Sequence, residues 1–282
     1  VVTSPSTADA ATPTVPAAPA DAPARILPLD GDLAEVVFAL GLGDEVVATD
    51  ISATYPPAAD ALPEIGYQRA LAAEPIVAFE PSIVLATDIA GPPEVLDQLE
   101  RLGVAVQMIP TESSPNGPGD KIRAVAEALG VPERGADLAA EVDADIAAAI
   151  ERAGSVATSP RVGVLYLRGN NVQLLFGEGT DVHWIIDAVG GIDIADELGV
   201  VDTAPINAEA LVAAAPDVLV VPERGLESVG GIDGLLELPG VAGTPAGRDG
   251  RVLTYDDQLL LGNGPRTGEL LEQLITDLHG GP

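Results

Sequence analysis

The chain of 282 residues has no cysteine, one methionine, one tryptophan and two histidines, His183 and His279. Each shortage removes a class of function. Without cysteine there is no disulfide, no thiolate metal site and no cysteine nucleophile. Two imidazoles are too few for a multi-histidine metal cluster or a zinc hydrolase centre, and no Ser/His/Asp set is credible around them. Positive charge is scarce as well: 13 basic residues stand against 44 acidic ones, a formal net charge of −31. Such a surface repels phosphate backbones and anionic lipid, so nucleic acid is excluded as a partner and the acidity reads as a solubility feature. No apolar run approaches the roughly 18 residues that a membrane-spanning helix needs.

What is present is a repeat. Residues 73–85 read AEPIVAFEPSIVL and residues 208–220 read AEALVAAAPDVLV, a constant 135 apart. Each copy predicts a short helix, a proline stop and a buried strand. Weaker echoes join RILPLDG to RVGVLYLRG and ALGLGDEVVATD to AVGGIDIADELG, in each case a strand leading to a helix that ends at glycine. At 47% apolar the chain can bury substantial cores, and its length exceeds the usual single domain. The prediction is an α/β protein of two similar Rossmann-like lobes with a ligand cleft between them.

The expected organisation is a disordered Ala/Pro-rich tether at 1–24, an N-terminal lobe at 25–119, connecting helices at 120–156 and a C-terminal lobe at 157–282. Strands are predicted at 26–29, 46–49, 83–86, 104–109, 162–167, 218–222 and 252–254. They are almost continuously apolar, as parallel strands covered on both faces are. A helix over 133–153 carries Leu138, Val142, Ile146 and Ile150 on one stripe. It is long enough to cross between lobes, and a single rigid connector predicts little domain motion. The last helix is expected to start at Pro265. About a dozen extra residues around NNVQLLFGEGTD follow a strand end in the second half, where α/β sheets place sites. GEGTD lacks the lysine and spacing of a P-loop and predicts a turn and helix start before His183, a residue more often packed or superficial than functional.

Two of the four tyrosines sit in the same tripeptide, Tyr67-Gln68-Arg69 and Tyr166-Leu167-Arg168. In extended chain, residues i and i+2 point the same way, so each arginine can lie beside its phenol and stabilise the phenolate. Phenolate suits ferric iron, including haem iron. On pattern alone, packing with a wet hydroxyl is the commoner use of such a tyrosine. Twelve of the 13 bases are arginine, with Lys121 the exception. Arginine beside a cleft invites carboxylates, and Arg224 is the third candidate. Its alternative is a surface ion pair with Glu223 or Glu227.

Over about residues 25–280 the chain resembles the haem-binding substrate-binding component of bacterial haemin ABC transporters, in particular actinobacterial ones. The resemblance is carried by GYQRALAAEPIVAFEPSIVLAT (66–87), YLRGNNVQLLFGEGTD (166–181), INAEALVAAAPDVLVVPERGLESVGG (206–231) and LLLGNGPR (259–266). It implies a class III periplasmic-binding-protein-like fold whose two lobes are joined by one long helix, with haem b as the transported ligand. It implies Tyr67 and Tyr166 as axial iron ligands, Arg69 and Arg168 as their supports lowering the phenol pKa values, and Arg224 as a pocket arginine. Glu74 and Glu209, one per lobe, are implied to dock onto the membrane permease; by themselves they are acids at helix starts, where the helix dipole favours them. The protein would then be a non-catalytic receptor on the extracellular face of the membrane, or in a periplasm-like space, held by a lipid anchor preceding the tether. A siderophore or corrinoid receptor of the same fold is the nearest rival. A cytosolic nucleotide-dependent enzyme is the second, disfavoured because no glycine-rich phosphate loop follows the first strand.

Overall fold

The computed structural model describes residues 23–280. Residues 1–22 of the expected tether therefore lie outside the described part. Among the described residues, nine strands form two sheets: β1 (Ile26–Pro28), β2 (Ile83–Ala86), β3 (Ala105–Met108), β4 (Arg161–Arg168), β5 (Val172–Phe176), β6 (Ile192–Asp193), β7 (Thr203–Pro205), β8 (Val218–Pro222) and β9 (Val252–Tyr255). The first sheet has the order β1-β2-β3 and is parallel throughout. The second has the order β7-β5-β4-β8-β9, with β6 pairing the start of β4.

The repeat is visible in the register. Ile83 of β2 lies opposite Ile26 of β1, and Val218 of β8 lies opposite Val162 of β4. Thus β4-β8-β9 is the counterpart of β1-β2-β3. Even the strained residue before each proline is duplicated: Glu80 and Ala215, again 135 apart, both have φ 47. The helix ends match too, with Gly41 at φ 75 and Gly190 at φ 77 just past helices Gly31–Ala39 and Asp181–Ala188. Such a left-handed turn costs glycine nothing sterically. The extra residues of the second half form the hairpin strand β5, antiparallel to β4, and β5 in turn carries β7.

Strand periodicity divides the apolar side chains into separate cores. Leu27 and Val84 join the cluster on the outer face of the first sheet, whereas Ile26 and Leu85 face inward. In the second sheet, Leu165, Leu167, Leu219 and Val221 face outward and Val162, Val164, Val218 and Val220 inward. The two inward faces belong to one continuous cluster, closed by helices Gly117–Ala128, Pro132–Ala153 and Thr267–His279. The helix Pro132–Ala153 has 22 residues, about 33 Å at 1.5 Å per residue. It is no free strut, because both lobes pack on it.

Four expectations need correction. Residues 46–49 make only isolated bridges, Ile26 to Val46 and Thr49 to Glu64, since the segment crosses at the edge of β1 and turns away. Strand β3 is exposed rather than covered on both faces, because it is the last strand of its sheet. The buried stripe of Pro132–Ala153 is Gly135, Ala139, Val142, Ile146, Ala149 and Ala153, with Leu138 and Ile150 half-buried on its flanks. Small residues prevail there because the preceding helix comes very close: a Cβ on Gly135 would lie 2.2 Å from the Ala126 methyl. The last helix begins at Thr267, after a turn containing Pro265.

The lobes are also strapped by polar contacts. The Gln258 carboxamide oxygen accepts the backbone N–H groups of Thr54 and Tyr55, both at 2.8 Å. Its amino group donates to Gly31 O at 2.8 Å, Glu35 Oε2 at 2.9 Å and Tyr55 O at 3.1 Å. Beside it, Arg266 Nε and Nη2 donate to Glu35 at 2.8 and 2.9 Å. Lys121 pairs with Asp32 and donates to Gly262 O at 3.0 Å. Gln258→Ala leaves several of these groups without partners and is expected to cost about 2–4 kcal/mol in denaturant unfolding, since each unpaired buried group costs roughly 1–3 kcal/mol. In the intact protein, small-angle scattering is expected to show the same radius of gyration before and after ligand is added.

Candidate ligand-binding cleft

Segments that follow the carboxyl ends of parallel strands in the two sheets meet at the junction of the lobes, as Gln258 after β9 bonds Gly31 after β1, and open α/β sheets place their ligands at such ends. Tyr67 follows Gly66, whose φ of 104 turns the chain outward in a conformation that side chains resist. Ile51 N–H binds Gly66 O at 3.0 Å and Gly91 N–H binds Gln68 O at 2.8 Å. The segment is thus clamped on both sides. Gln68 is buried and Tyr67 and Arg69 are exposed, but the tripeptide is not the extended chain expected: Ala70 N–H binds Tyr67 O at 2.8 Å and closes a turn, so the two side chains share a side through the turn and not through strand periodicity. In β4 strand alternation buries Leu165 and Leu167 and brings Tyr166 and Arg168 to the half-exposed face. Phe176, at the end of the extra strand β5, stacks 5.4 Å from Tyr166 between ring centroids.

The two tripeptides come together. Tyr67 and Arg69 of the first lobe both lie near enough to influence the ionisation of Tyr166 in the second. Neither phenol hydroxyl has a hydrogen-bond partner among the described residues. Tyr255 shows the contrast: its hydroxyl donates to Asp277 at 2.7 Å, as a structural tyrosine's does. Arg69 and Arg224 are exposed, and among the described residues neither guanidinium has a partner. The alternative ion pairs of Arg224 with Glu223 and Glu227 are not formed. Glu74 and Glu209 are exposed in the first turns of helices Ala73–Val77 and Ala208–Ala214.

One electrostatic expectation holds only in part. Arg168 lies over the face of Tyr166, with its guanidinium carbon 4.3 Å from the ring centroid, rather than beside the hydroxyl. It is also paired with Asp257 at 2.7 Å. Burial raises the Tyr166 pKa most; Arg168 and Arg69 lower it, as expected of them, while Tyr67 and Asp257 raise it. The net direction is upward, so the phenol is protonated at neutral pH. Its proton leaves only when something stronger than Arg168 competes for the oxygen.

Sequence reasoning missed the groups beside the cleft. Tyr55 lies under Arg266, 3.6 Å from guanidinium carbon to ring centroid. Asp32, Asp50 and Lys121 are buried and Asp30 and Asp181 half-buried, and together they form a cluster of ionisable groups beside the junction. Burial works against the charge on Lys121, but Asp32, Asp181 and Asp30 together outweigh it and its pKa is raised. These residues are far apart in sequence, and no motif announces them. His183, by contrast, does not join this cluster: it faces Asp193 at 3.1 Å, with Asp187 and Asp196 at 3.8 and 3.7 Å.

The matched family model is that of periplasmic binding proteins, which covers residues 26–259. A two-lobed fold with ligand-binding groups gathered between the lobes defines a solute-binding protein, and this chain belongs to the periplasmic binding protein family. Among solved structures it is similar to the periplasmic heme-binding protein RhuT from Roseiflexus sp. RS-1 in apo form. The two are 49% identical, with 90% of this chain and 97% of that one covered and a TM-score of 0.89. It is also similar to the heme-binding protein HmuT, at 35% identity over 95% and 93% of the two chains, with a TM-score of 0.88. Among curated proteins it matches the uncharacterized ABC transporter substrate-binding lipoprotein YvrC of Bacillus subtilis (strain 168). That match is 24% identical over 91% of this chain and 80% of the other.

The acidic cluster makes stability depend on pH. Burial raises Asp50 from 3.8 to about 6, although its hydrogen bond from Ser52 opposes the shift. Asp30, Glu35 and Asp181 are raised for the same first reason. A carboxyl with a raised folded-state pKa stabilises the fold at low pH, and that contribution is lost as pH rises through the folded value. Thermal stability is therefore expected to increase from pH 7 to pH 5. The shift of about two units at Asp50 corresponds to on the order of 3 kcal/mol, so Asp50→Asn is expected to flatten the slope and stabilise the protein at pH 7. A melting temperature that falls steadily over this interval contradicts the account.

Proposed function

We propose that this chain is a haem receptor that takes ferric haem between its lobes and hands it, unaltered, to an ABC importer. One observation carries the reading: two phenols without hydrogen-bond partners, Tyr67 from the first lobe and Tyr166 from the second, lie close together with Arg69, and the backbone of Arg224, another exposed arginine without a counter-ion, is bonded to the Asp257 that pairs with Arg168 beside Tyr166. The likeness to RhuT at 49% identity over nearly the whole chain supports it.

Tyr166 binds the iron through its oxygen, with Tyr67 on the opposite side. Ferric iron is the stronger competitor that the protonated phenol requires, because a bound metal displaces protons from its ligands. Binding therefore releases a proton and strengthens as pH rises. Arg168 holds the plane of the Tyr166 ring, and Arg69 offsets negative charge beside Tyr67. Arg224 meets a propionate, which its planar fork matches through two hydrogen bonds. No bond of the porphyrin is made or broken, so the receptor role needs no catalytic group.

Glu74 and Glu209 dock the loaded protein onto basic residues of the permease. Their exposure and their matching places in the two halves of the repeat support this reading. The receptor works at the outer face of the membrane, held by a lipid anchor ahead of the Ala/Pro-rich segment; the lipoprotein name of YvrC supports that placement. A siderophore or corrinoid receptor has no use for two neighbouring phenols without hydrogen-bond partners. A nucleotide enzyme would have to set its phosphates against Asp30, which follows β1 where a phosphate loop would stand.

Haem titration is expected to give a high-spin ferric spectrum with a tyrosinate-to-iron charge-transfer band. Tyr166→Phe is expected to remove that band and weaken binding about 100-fold, equivalent to about 2.7 kcal/mol. Tyr67→Phe decides whether the second phenol ligates: an unchanged spectrum restricts it to capping the pocket. Absence of haem binding by the wild type defeats the proposal. Charge reversal at both Glu74 and Glu209 is expected to abolish cellular haem uptake while leaving the titration unchanged, and persistent uptake removes the docking role.

A further inference from the structure

Asp257 lies just beyond β9 and opens the short helix Asp257–Leu261. Its side chain is 14% exposed, and its two oxygens serve different parts of the cleft wall. Oδ2 accepts from Arg168 Nη2 at 2.7 Å, and Oδ1 accepts the backbone N–H of Arg224 at 3.0 Å. Arg168 Nη1 donates at the same time to Leu167 O at 2.8 Å. The guanidinium is therefore held at two points while its carbon lies 4.3 Å from the Tyr166 ring centroid.

The helix Glu223–Ser228 that carries Arg224 sits directly against this arrangement. A Cβ on Gly225 would meet Leu167 O at 3.2 Å and Arg168 Nη1 at 3.4 Å. Ser228 Oγ donates to Gly225 O at 2.7 Å and accepts Gly169 N–H at 2.9 Å, so the same helix also holds the turn after β4. One carboxylate thus links the ends of β4 and β8 to the segment after β9. It suits the task because it offers acceptors on both oxygens, whereas an amide would turn N–H groups toward one of the two donors.

We propose that Asp257 is a positioning residue for haem: through Arg168 it sets the plane of the Tyr166 ring, and through the Arg224 N–H it sets the helix turn from which the Arg224 guanidinium reaches a propionate. This rests on the haem reading above. Iron–phenolate bonding is directional, so a ring free to rotate makes a poorer ligand. A guanidinium whose backbone is loose gains less from a carboxylate, because its ordering is then charged against binding.

The test compares haem with haem dimethyl ester, which lacks propionate charge, on the wild type, Asp257→Asn, Asp257→Ala and Arg224→Ala. The wild type is expected to prefer haem about tenfold or more, the size of one charge-assisted contact. Both Asp257 variants are expected to lose most of that preference, approaching Arg224→Ala, and to shift the tyrosinate-to-iron band, which Arg224→Ala leaves in place. Equal weakening for both ligands with an unmoved band reduces Asp257 to a structural ion pair and overturns the proposal. Asp257→Asn retains the side-chain volume and is decisive if Asp257→Ala does not fold. A ligand-free arm separates the two readings: the δ-methylene protons of Arg168 are expected to show a ring-current shift from Tyr166 in NMR spectra, lost in Asp257→Asn. If the wild type binds no haem, the functional reading falls and with it the haem role of Asp257. An unchanged ring-current shift overturns its hold on Arg168 whatever the ligand.

Discussion

The two walls of the cleft keep their separation because a single apolar cluster runs unbroken from the inner face of the first sheet to the inner face of the second. Parting the lobes means exposing part of that cluster, at about 25 cal/mol for each Å² of apolar surface. A few hundred Å² would already use up much of the stability of a typical domain. Every distance in the site inherits this rigidity. Tyr67 and Tyr166 lie about 100 residues apart in sequence, yet their encounter needs no closing motion. Gln258 and Arg266 complete the constraint from the polar side, tying the end of the chain to the first lobe.

The electrostatics of the site run against those of the molecule. A formal charge of −31 repels an anionic ligand, but such fields are screened beyond about 8 Å at physiological ionic strength. Close in, the local groups prevail. Most arginines are committed: Arg161 to Glu197, Arg123 to Asp143, Arg266 to Glu35 and Arg168 to Asp257. Arg69 and Arg224 have no partner among the described residues, and on the proposed reading they are where a carboxylate-bearing ligand would be met. The acids of the Asp30–Asp50 cluster lie in the opposite environment, where loss of water, and to a smaller extent mutual repulsion, raises their pKa values. Function has been given charge at the rim, and the cluster carries the strain.

Much of the fold was legible because period-2 burial and the repeat speak directly in the sequence. The strands around Ile83 and Val218 and the helix over residues 132–153 emerge close to their expected bounds. Expectation failed where an apolar run lacked a neighbour: residues 46–49 read as strand but have no partner to pair with continuously, and the edge position of β3 cannot be inferred from its composition. The tripeptide Tyr166-Leu167-Arg168 was legible for the same reason the strands were, whereas Tyr67-Gln68-Arg69 was legible only as its echo in sequence, because it folds as a turn. The direction of the Tyr166 pKa was not, because it depends on burial and on Asp257, which is 91 residues further along the chain. Tyr55, Asp257 and the acidic cluster acquire meaning only through contacts that topology creates.

Lys121, the only lysine, is 3% exposed and bound to Asp32 beside the junction of the lobes. The folded protein accordingly offers amine-directed reagents no reactive side chain. Modification at this position reports that the interior has opened, which makes the residue a built-in chemical gauge of unfolding. Digestion by trypsin in the native state must likewise proceed through arginine alone.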